Sequence, residues 1–200
     1  MTEEPVIGVP IHRGLQPEPF HVVREFEDVI TTQSSSIPAA HYELIDRARK
    51  MKRDLIIVHE DVEPEPGAIE MLLMHDRELE PIVAGVYPLR QTWLLPDGEK
   101  KHPLSVGWWE KIEDKTQHLG MRTTVPRSGT EIIDFVSLGF CLFRYGETMK
   151  KITNHAFRSL HTQDDGVMFS LWAKDNGIPL RVCWGAMARH WNLTPLEVPR

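Results

Sequence analysis

Along this chain, short unbroken apolar runs alternate with stretches in which apolar positions recur every three or four residues. The first run covers residues 6–11, Val-Ile-Gly-Val-Pro-Ile. A breaker-rich loop from His12 and a short helical pattern over residues 20–27 lead to a second run, residues 28–31. The third, Leu-Ile-Ile-Val at 55–58, is β-branched and does not alternate. That pattern fits a strand buried on both faces of a parallel sheet. Residues 81–87 form a fourth run. Between the second and third, Tyr42, Leu44, Ile45 and Ala48 follow a loose helical period, with Pro38 suited to the first turn. Pro66-Gly67 opens another helix, whose inner side is expected to carry Ile69, Leu72, Leu73 and Leu79. Strands alternating with helices predict an α/β domain with a largely parallel sheet and right-handed crossovers.

From 88 to 130 the pattern loosens. Asp97-Gly98 is a hairpin signal between two short extended segments. Trp93, Trp108 and Trp109 fall here outside any clear period. Long connections of this kind are usually functional. The expectation is an insertion or lid over a crevice mouth, within one domain spanning residues 1–200. The tryptophans have two readings: a platform for a sugar ring, or the apolar filling of the lid. Beyond it, 131–137 and 138–143 read as strands and 145–152 as a short helix, with 154–163 irregular. A further helix follows Asp164-Asp165-Gly166 and closes at Asn176-Gly177. Residues 178–184 read as the last strand, with Pro179 at its start or on an edge. His190-Trp191 is expected to begin an irregular tail.

Two hundred residues, 41% of them hydrophobic, can bury one substantial core. A net charge of −6 argues against the broad basic face that nonspecific nucleic-acid binding needs. Cys141 and Cys183 lie among apolar neighbours and are predicted to be buried thiols in a reducing compartment. No CxxC pattern suggests structural zinc. The acidic amino-terminus predicts no secretory signal, and no apolar stretch reaches membrane-spanning length. A soluble, cytoplasmic protein is expected.

The chemistry concentrates where the third run ends, at His59-Glu60-Asp61. Ligands of open α/β sheets bind at the carboxyl ends of strands. In an extended segment His59 and Asp61 would share one side, and Glu60 would take the other. That side could hold a cation; alternatively the triplet is a solvated loop continued by Glu63 and Glu65. Asp164 and Asp165 suit a helix cap. One of them could instead take a proton from an acceptor hydroxyl. His190 reads as a surface histidine or a metal ligand, Pro10 as a strand stop, and residues 34–36 as a polar turn.

These segments together resemble the GT-A fold glycosyltransferases, family-2-like enzymes. Their pattern is an apolar strand, Asp-x-Asp, then Pro-x-Pro-Gly and a helix; here Asp-x-Asp is His59-Glu60-Asp61. Residues 81–90 resemble the strand and Tyr-Pro that follow. Residues 134–143 resemble the strand lining the sugar pocket. Gln163-Asp164-Asp165 resembles the acidic catalytic segment, and His190 stands where a metal-binding histidine often occurs. The resemblance covers most of the chain. It implies a three-layer sandwich with a mostly parallel mixed sheet, and a hexosyltransferase-like enzyme. A nucleotide-diphosphate sugar would donate to an acceptor hydroxyl, whether carbohydrate, lipid-linked, protein or nucleobase. Mn²⁺ or Mg²⁺ would be held by Asp61, His59 and His190, the imidazole of His59 favouring Mn²⁺. His59 has a second reading, contact with phosphate or ribose. Asp165, or Asp164 one residue earlier, would be the base. Pro10, Ile11, His12 and Ser35 would receive the nucleotide, with Glu60, Gly139 and Arg189 beside it. Ala39, Ala40 and His41 stand where the family often has Arg and Asn. The alternatives are a noncatalytic nucleotide- or carbohydrate-binding domain and a nucleotidyltransferase. The latter usually has a Gly-rich basic loop after the first strand, where only Arg13-Gly14 follows.

Overall fold

The structure is a computed structural model that describes residues 4–11, 26–33, 36–94, 98–111, 117–126, 129–157 and 165–191. The chain opens with β1 (Val6–Ile11), β2 (Val29–Gln33), α1 (Ile37–Met51), β3 (Leu55–Val58), β4 (Val62–Pro64), α2 (Ala68–Leu73) and β5 (Ile82–Val86). The middle holds β6 (Trp93–Leu94), β7 (Lys100–Lys101), β8 (Val106–Lys111), β9 (Gln117–Met121), β10 (Thr130–Ile133), β11 (Phe135–Val136) and β12 (Phe140–Phe143). The last part holds α3 (Glu147–Lys151), a 3-10 turn (Asn154–Phe157), α4 (Asp165–Asp175) and β13 (Leu180–His190). The helix expected over 20–27 falls largely outside the described residues.

The central sheet has the order β10-β13-β5-β12-β3-β1-β2. β1, β2, β3, β5 and β13 run parallel, whereas β12 and β10 run against them. All four residues of β3 are buried. Leu55 and Ile57 pack into a core with α1 and α4. Ile56 and Val58 pack into a second core with α2 on the opposite face. The protein is thus a three-layer α/β sandwich with a mostly parallel mixed sheet, as the apolar runs predict. Just before β3, buried Asp54 receives two bonds from Arg77 and one from Arg144, which fixes where the strand starts. Cys141 and Cys183 are buried free thiols. Among the described residues, no helix is long and apolar enough to cross a membrane.

Three features differ from expectation. The helix after Gly67 ends at Leu73, so Leu79 is not on its inner side but 71% exposed. The cause is Asp76, whose carboxylate accepts the N–H groups of Glu78 and Leu79 and winds that stretch into a turn. The last strand does not stop at Trp184, and His190 is not in a tail. β13 runs 11 residues, because buried Ala186, Ala188 and His190 alternate with half-buried Gly185, Met187 and Arg189. Its register on β5 shifts between Val182 and Met187, after which Ala188, Arg189 and His190 pair antiparallel with Pro64, Glu63 and Val62 of β4. Lastly, the segment from Asn154 is not wholly irregular, since Ala156 and Phe157 of the 3-10 turn are buried.

Within 88–130, β6 and β7 form the expected hairpin, with Gly98 at φ 83°. β8 pairs with β9 and β11 in a small second sheet. Trp108 stacks on Trp184 at 6.3 Å, Arg122 lies over both rings, and the Trp108 indole N–H donates to Ile132 O. Trp108 therefore fastens the insertion to the main sheet, which supports the structural reading of that residue.

Gly85, in β5 between two neighbours, has no room for a side chain. An added Cβ would lie 2.1 Å from a Phe140 ring carbon and 2.8 Å from Ala186 O. Gly85→Ala is expected to lower stability by about 2–3 kcal/mol. The measurement is the urea midpoint, which should fall at constant m-value.

Candidate functional site

β3 ends at a tight turn rather than continuing extended. The His59 N–H donates to Gly139 O at 2.9 Å, and the Val62 N–H returns to His59 O at 3.0 Å. The alternation expected for His59, Glu60 and Asp61 therefore does not apply: the turn sends His59 and Asp61 to different partners and buries Glu60.

Asp61 meets the carboxyl end of β13. His190 pairs in register with Val62, and its Nε2 lies 3.6 Å from Asp61 Oδ2. Trp191 N–H donates to Asp61 O at 2.7 Å, and the Trp191 indole N–H to Glu63 Oε2 at 2.7 Å. The His190 Nδ1–H donates to Pro88 O at 2.8 Å, which turns Nε2 towards Asp61. Tyr87 holds that ring edge-on at 5.4 Å. Arg90 Nη2 donates to Asp61 Oδ2 and, at 3.0 Å, to Trp191 O. Burial opposes ionisation of Asp61. The contact with His190, with the charges of His190, His59 and Arg90, outweighs it and holds the carboxyl below its usual range.

His59 turns towards α1. Its Nε2 lies 2.7 Å from Nε2 of the fully buried His41. The ring centroids are 4.9 Å apart with planes 23° apart, so the imidazoles meet head-on and share one proton. On its far side, His41 Nδ1 lies 2.6 Å from Asp165 Oδ2, at the first residue of α4. A line of polar groups thus runs from α4 through α1 to the end of β3. The protein packed around His59 penalises a positive charge on its ring, and His41 adds repulsion. Together they push its pKa down to about 4, against the pull of Asp61 and Asp165.

The fold on which these groups sit has a counterpart among solved structures. The chain is similar in fold to A197 from STIV. That crystal structure matches with a TM-score of 0.65 at 15% identity, over 100% of this chain and 95% of the other. CMP:2-keto-3-deoxy-manno-octonic acid synthetase, complexed with CTP, aligns at 15% identity over 90% of this chain and 89% of its own, with a TM-score of 0.46. Inositol-1-phosphate CTP transferase from T. maritima aligns at 12% identity over 95% and 69%, with a TM-score of 0.43. No family model and no curated protein matches the chain. At such identities the likeness to A197 concerns the fold, and the chemistry has to be read from this chain's own residues.

Of the residues expected at the site, Asp61 and His190 are brought together, and Asp165 joins the line ending at His59. Among the described residues, no three His, Cys, Asp or Glu side chains converge as a metal cluster, since His59 faces His41. Pro10 and Ile11 end β1 beside Thr32 and Gln33 of β2. Arg189 alternates to the other side of β13 from His190, its guanidinium 4.0 Å from Glu63. At Gly139 the space of the missing side chain is filled by Tyr87: an added Cβ would lie 2.4 Å from the phenol oxygen. That oxygen accepts the Gly139 N–H and donates to Ser137 Oγ. His12, Ser35 and Asp164 lie outside the described residues. Sequence reasoning missed His41, Tyr87 and Arg90. His41 had one signal, a histidine on the buried stripe of α1 beside Ala40, Leu44 and Ile45.

The titration of His59 gives a stability test. Folded, the ring stays neutral down to about pH 4; unfolded, it gains its proton near 6.5. The unfolded chain thus binds more protons between those values, and stability falls as pH drops from 6.5 to 4. Asp61, depressed below 3.8, acts in the same direction at still lower pH. His59→Gln is expected to remove up to about 3 kcal/mol of that acid-dependent loss. Urea titrations at stepped pH would read it, and an unchanged slope would contradict a neutral His59.

Proposed function

We propose that this chain is a nucleotide-dependent transferase that moves a sugar from a nucleoside-diphosphate donor to an acceptor hydroxyl. The reaction would take place at the carboxyl ends of β1 and β3. The observation that supports this reading best is the Asp61–His190 pair, 3.6 Å apart at the end of a central strand with Arg90 on the carboxylate. A carboxylate oxygen and an imidazole nitrogen at that spacing are ligand types that Mn²⁺ or Mg²⁺ accepts, and they would leave positions for diphosphate oxygens and water. A divalent cation seated there would neutralise the charge growing on the departing diphosphate without a proton.

The chain's own groups take the remaining roles. Pro10 and Ile11 would offer the nucleoside a ledge at the end of β1, with His12 and Ser35, which follow β1 and β2 in sequence, as further candidates. Asp61 and His190 hold the diphosphate end through the cation, and Glu60, Gly139 and Arg189 are the further nucleotide-binding candidates. The acceptor oxygen attacks the anomeric carbon as the bond to the diphosphate breaks, and the acceptor proton passes to a carboxylate. Asp165 is the candidate base, its Oδ2 oriented by His41, with Asp164 as the neighbouring alternative. The 88–130 segment would serve as the lid, since Arg90 at its root already touches Asp61. Nucleotidyl transfer is the second reading. The same paired ligands and cation suit pyrophosphate leaving a nucleoside triphosphate.

The bond that breaks separates the two. With Mn²⁺ present, incubation with UDP- and GDP-sugars is expected to release nucleoside diphosphate, and with CTP and other triphosphates no pyrophosphate. Pyrophosphate release would establish the second reading instead. Asp61→Asn is expected to reduce turnover by about 10²-fold or more with the fold unchanged by circular dichroism. Full activity in that variant would remove the carboxylate from the chemistry.

A further inference from the structure

His41 is a polar side chain in an apolar place. It sits on the buried stripe of α1 beside Ala40, Leu44 and Ile45, with none of its surface exposed. Burying an imidazole there costs free energy unless its ring nitrogens meet partners. They do, and from two different elements. Nε2 lies 2.7 Å from His59 Nε2, just past the end of β3. Nδ1 lies 2.6 Å from Asp165 Oδ2, at the first residue of α4, and both of these atoms are shut off from solvent. Two lone pairs at that distance would repel, so with Asp165 ionised the His41 Nδ1 carries its proton towards the carboxylate. A neutral His41 then accepts from His59 Nε2–H. The His41 ring also tilts against Phe157 at 6.0 Å, and Phe157 stacks on Phe169 of α4 at 5.2 Å. Stability alone does not call for this arrangement, because well-packed apolar side chains in place of buried charged partners are often as stable.

Building on the transferase reading with Asp165 as base, we infer that His41 and His59 are positioning residues. They hold the Asp165 carboxylate for the acceptor hydroxyl from an anchor at the end of β3. The anchor is fixed on both sides of residue 59: the His59 N–H donates to Gly139 O at 2.9 Å, and His59 O accepts the Val62 N–H at 3.0 Å. Asp61 lies in the same turn, two residues on. One tight turn therefore bears on both carboxylates, on Asp61 directly and on Asp165 through His41. The Asp165 side chain is 17% exposed, which leaves it a path to a substrate hydroxyl while Oδ2 stays inside. Neither imidazole gains or loses a proton in this role. The acceptor proton ends on Asp165 as the acceptor oxygen bonds the anomeric carbon. Holding matters because a reacting group misplaced by about 1 Å can cost about 10²-fold in rate.

The first measurement needs no substrate. In the unaltered protein with ¹⁵N-labelled histidine, a scalar coupling is expected between the Nε2 nitrogens of His41 and His59, carried by the proton between them. Asp165→Ala should shift the His41 Nδ1–H resonance. Nucleoside diphosphate release from UDP- and GDP-sugars with Mn²⁺ then reads the role in turnover. His59→Phe keeps a ring but loses the nitrogen, and is expected to lower kcat about 10²-fold with KM for the sugar nucleotide little changed. His59→Gln, whose amide can still bond His41 Nε2, should recover turnover to within about threefold of the unaltered protein. A purely structural role would lower stability but spare the kcat of the folded protein and show no such recovery. Should His59→Phe fold poorly, the coupling and His59→Gln still decide. Absence of the coupling, or a His59→Gln variant as slow as Asp165→Asn, overturns the inference. An inactive Asp165→Asn beside a fully active His59→Phe also overturns it and leaves Asp165 as the base. Full turnover in Asp165→Asn, or none in the unaltered protein, removes both.

Discussion

Three residue pairs between β4 and β13 hold the two sides of the candidate site together. Asp61 ends the turn after β3, and His190 belongs to β13, separated from β3 in the sheet by β12 and β5. Backbone hydrogen bonds do the positioning. β13 shifts register on β5 beyond Val182, pairs with it again at Met187, and from Ala188 pairs with β4. The contacts of Trp191 with Asp61 and Glu63 follow directly from that change of partner.

The turn at His59 then divides the charged groups into two sets. One set is Asp61, Arg90 and His190, rich in charge, with His190 buried and Arg90 on the solvent side. The other is His59, His41 and Asp165, enclosed between α1, α4 and the sheet. The tight bond from Val62 N–H to His59 O makes this division, since an extended triplet would have put His59 and Asp61 on one face. The two sets still interact electrostatically: Asp61 favours a proton on His59, while His190 and the packed environment oppose it.

Much of the fold could be read from residue patterns. The unbroken Leu-Ile-Ile-Val run fitted a strand covered on both faces, and β3 is one. The Pro-Gly before α2 and the Asn-Gly after α4 marked helix limits through backbone preferences that act locally. The failures have a different physical source. Leu79 fitted a helical period, but Asp76 offered the backbone a closer partner and ended the helix pattern first. His190 looked like tail because small residues, Gly185, Ala186 and Ala188, carry little apolar signal even when buried. His41 occupies a core position on α1, and nothing local told that its partners would come from residues 59 and 165. Arg90 was one ordinary arginine in a loop. Contacts between distant segments are set by sheet topology, which composition and period do not encode.

The change of partner by β13 also makes the site sensitive to reading parity. Side chains along a strand point alternately to opposite faces, so His190 faces Asp61 only while an even number of steps separates it from Ala186 and Ala188. Gaining or losing a single amino acid between Gly185 and His190 would leave the core strands intact and offer Asp61 an arginine or a tryptophan instead of an imidazole. Lengthening that stretch by two would restore the facing side but carry the imidazole about 7 Å further along the strand.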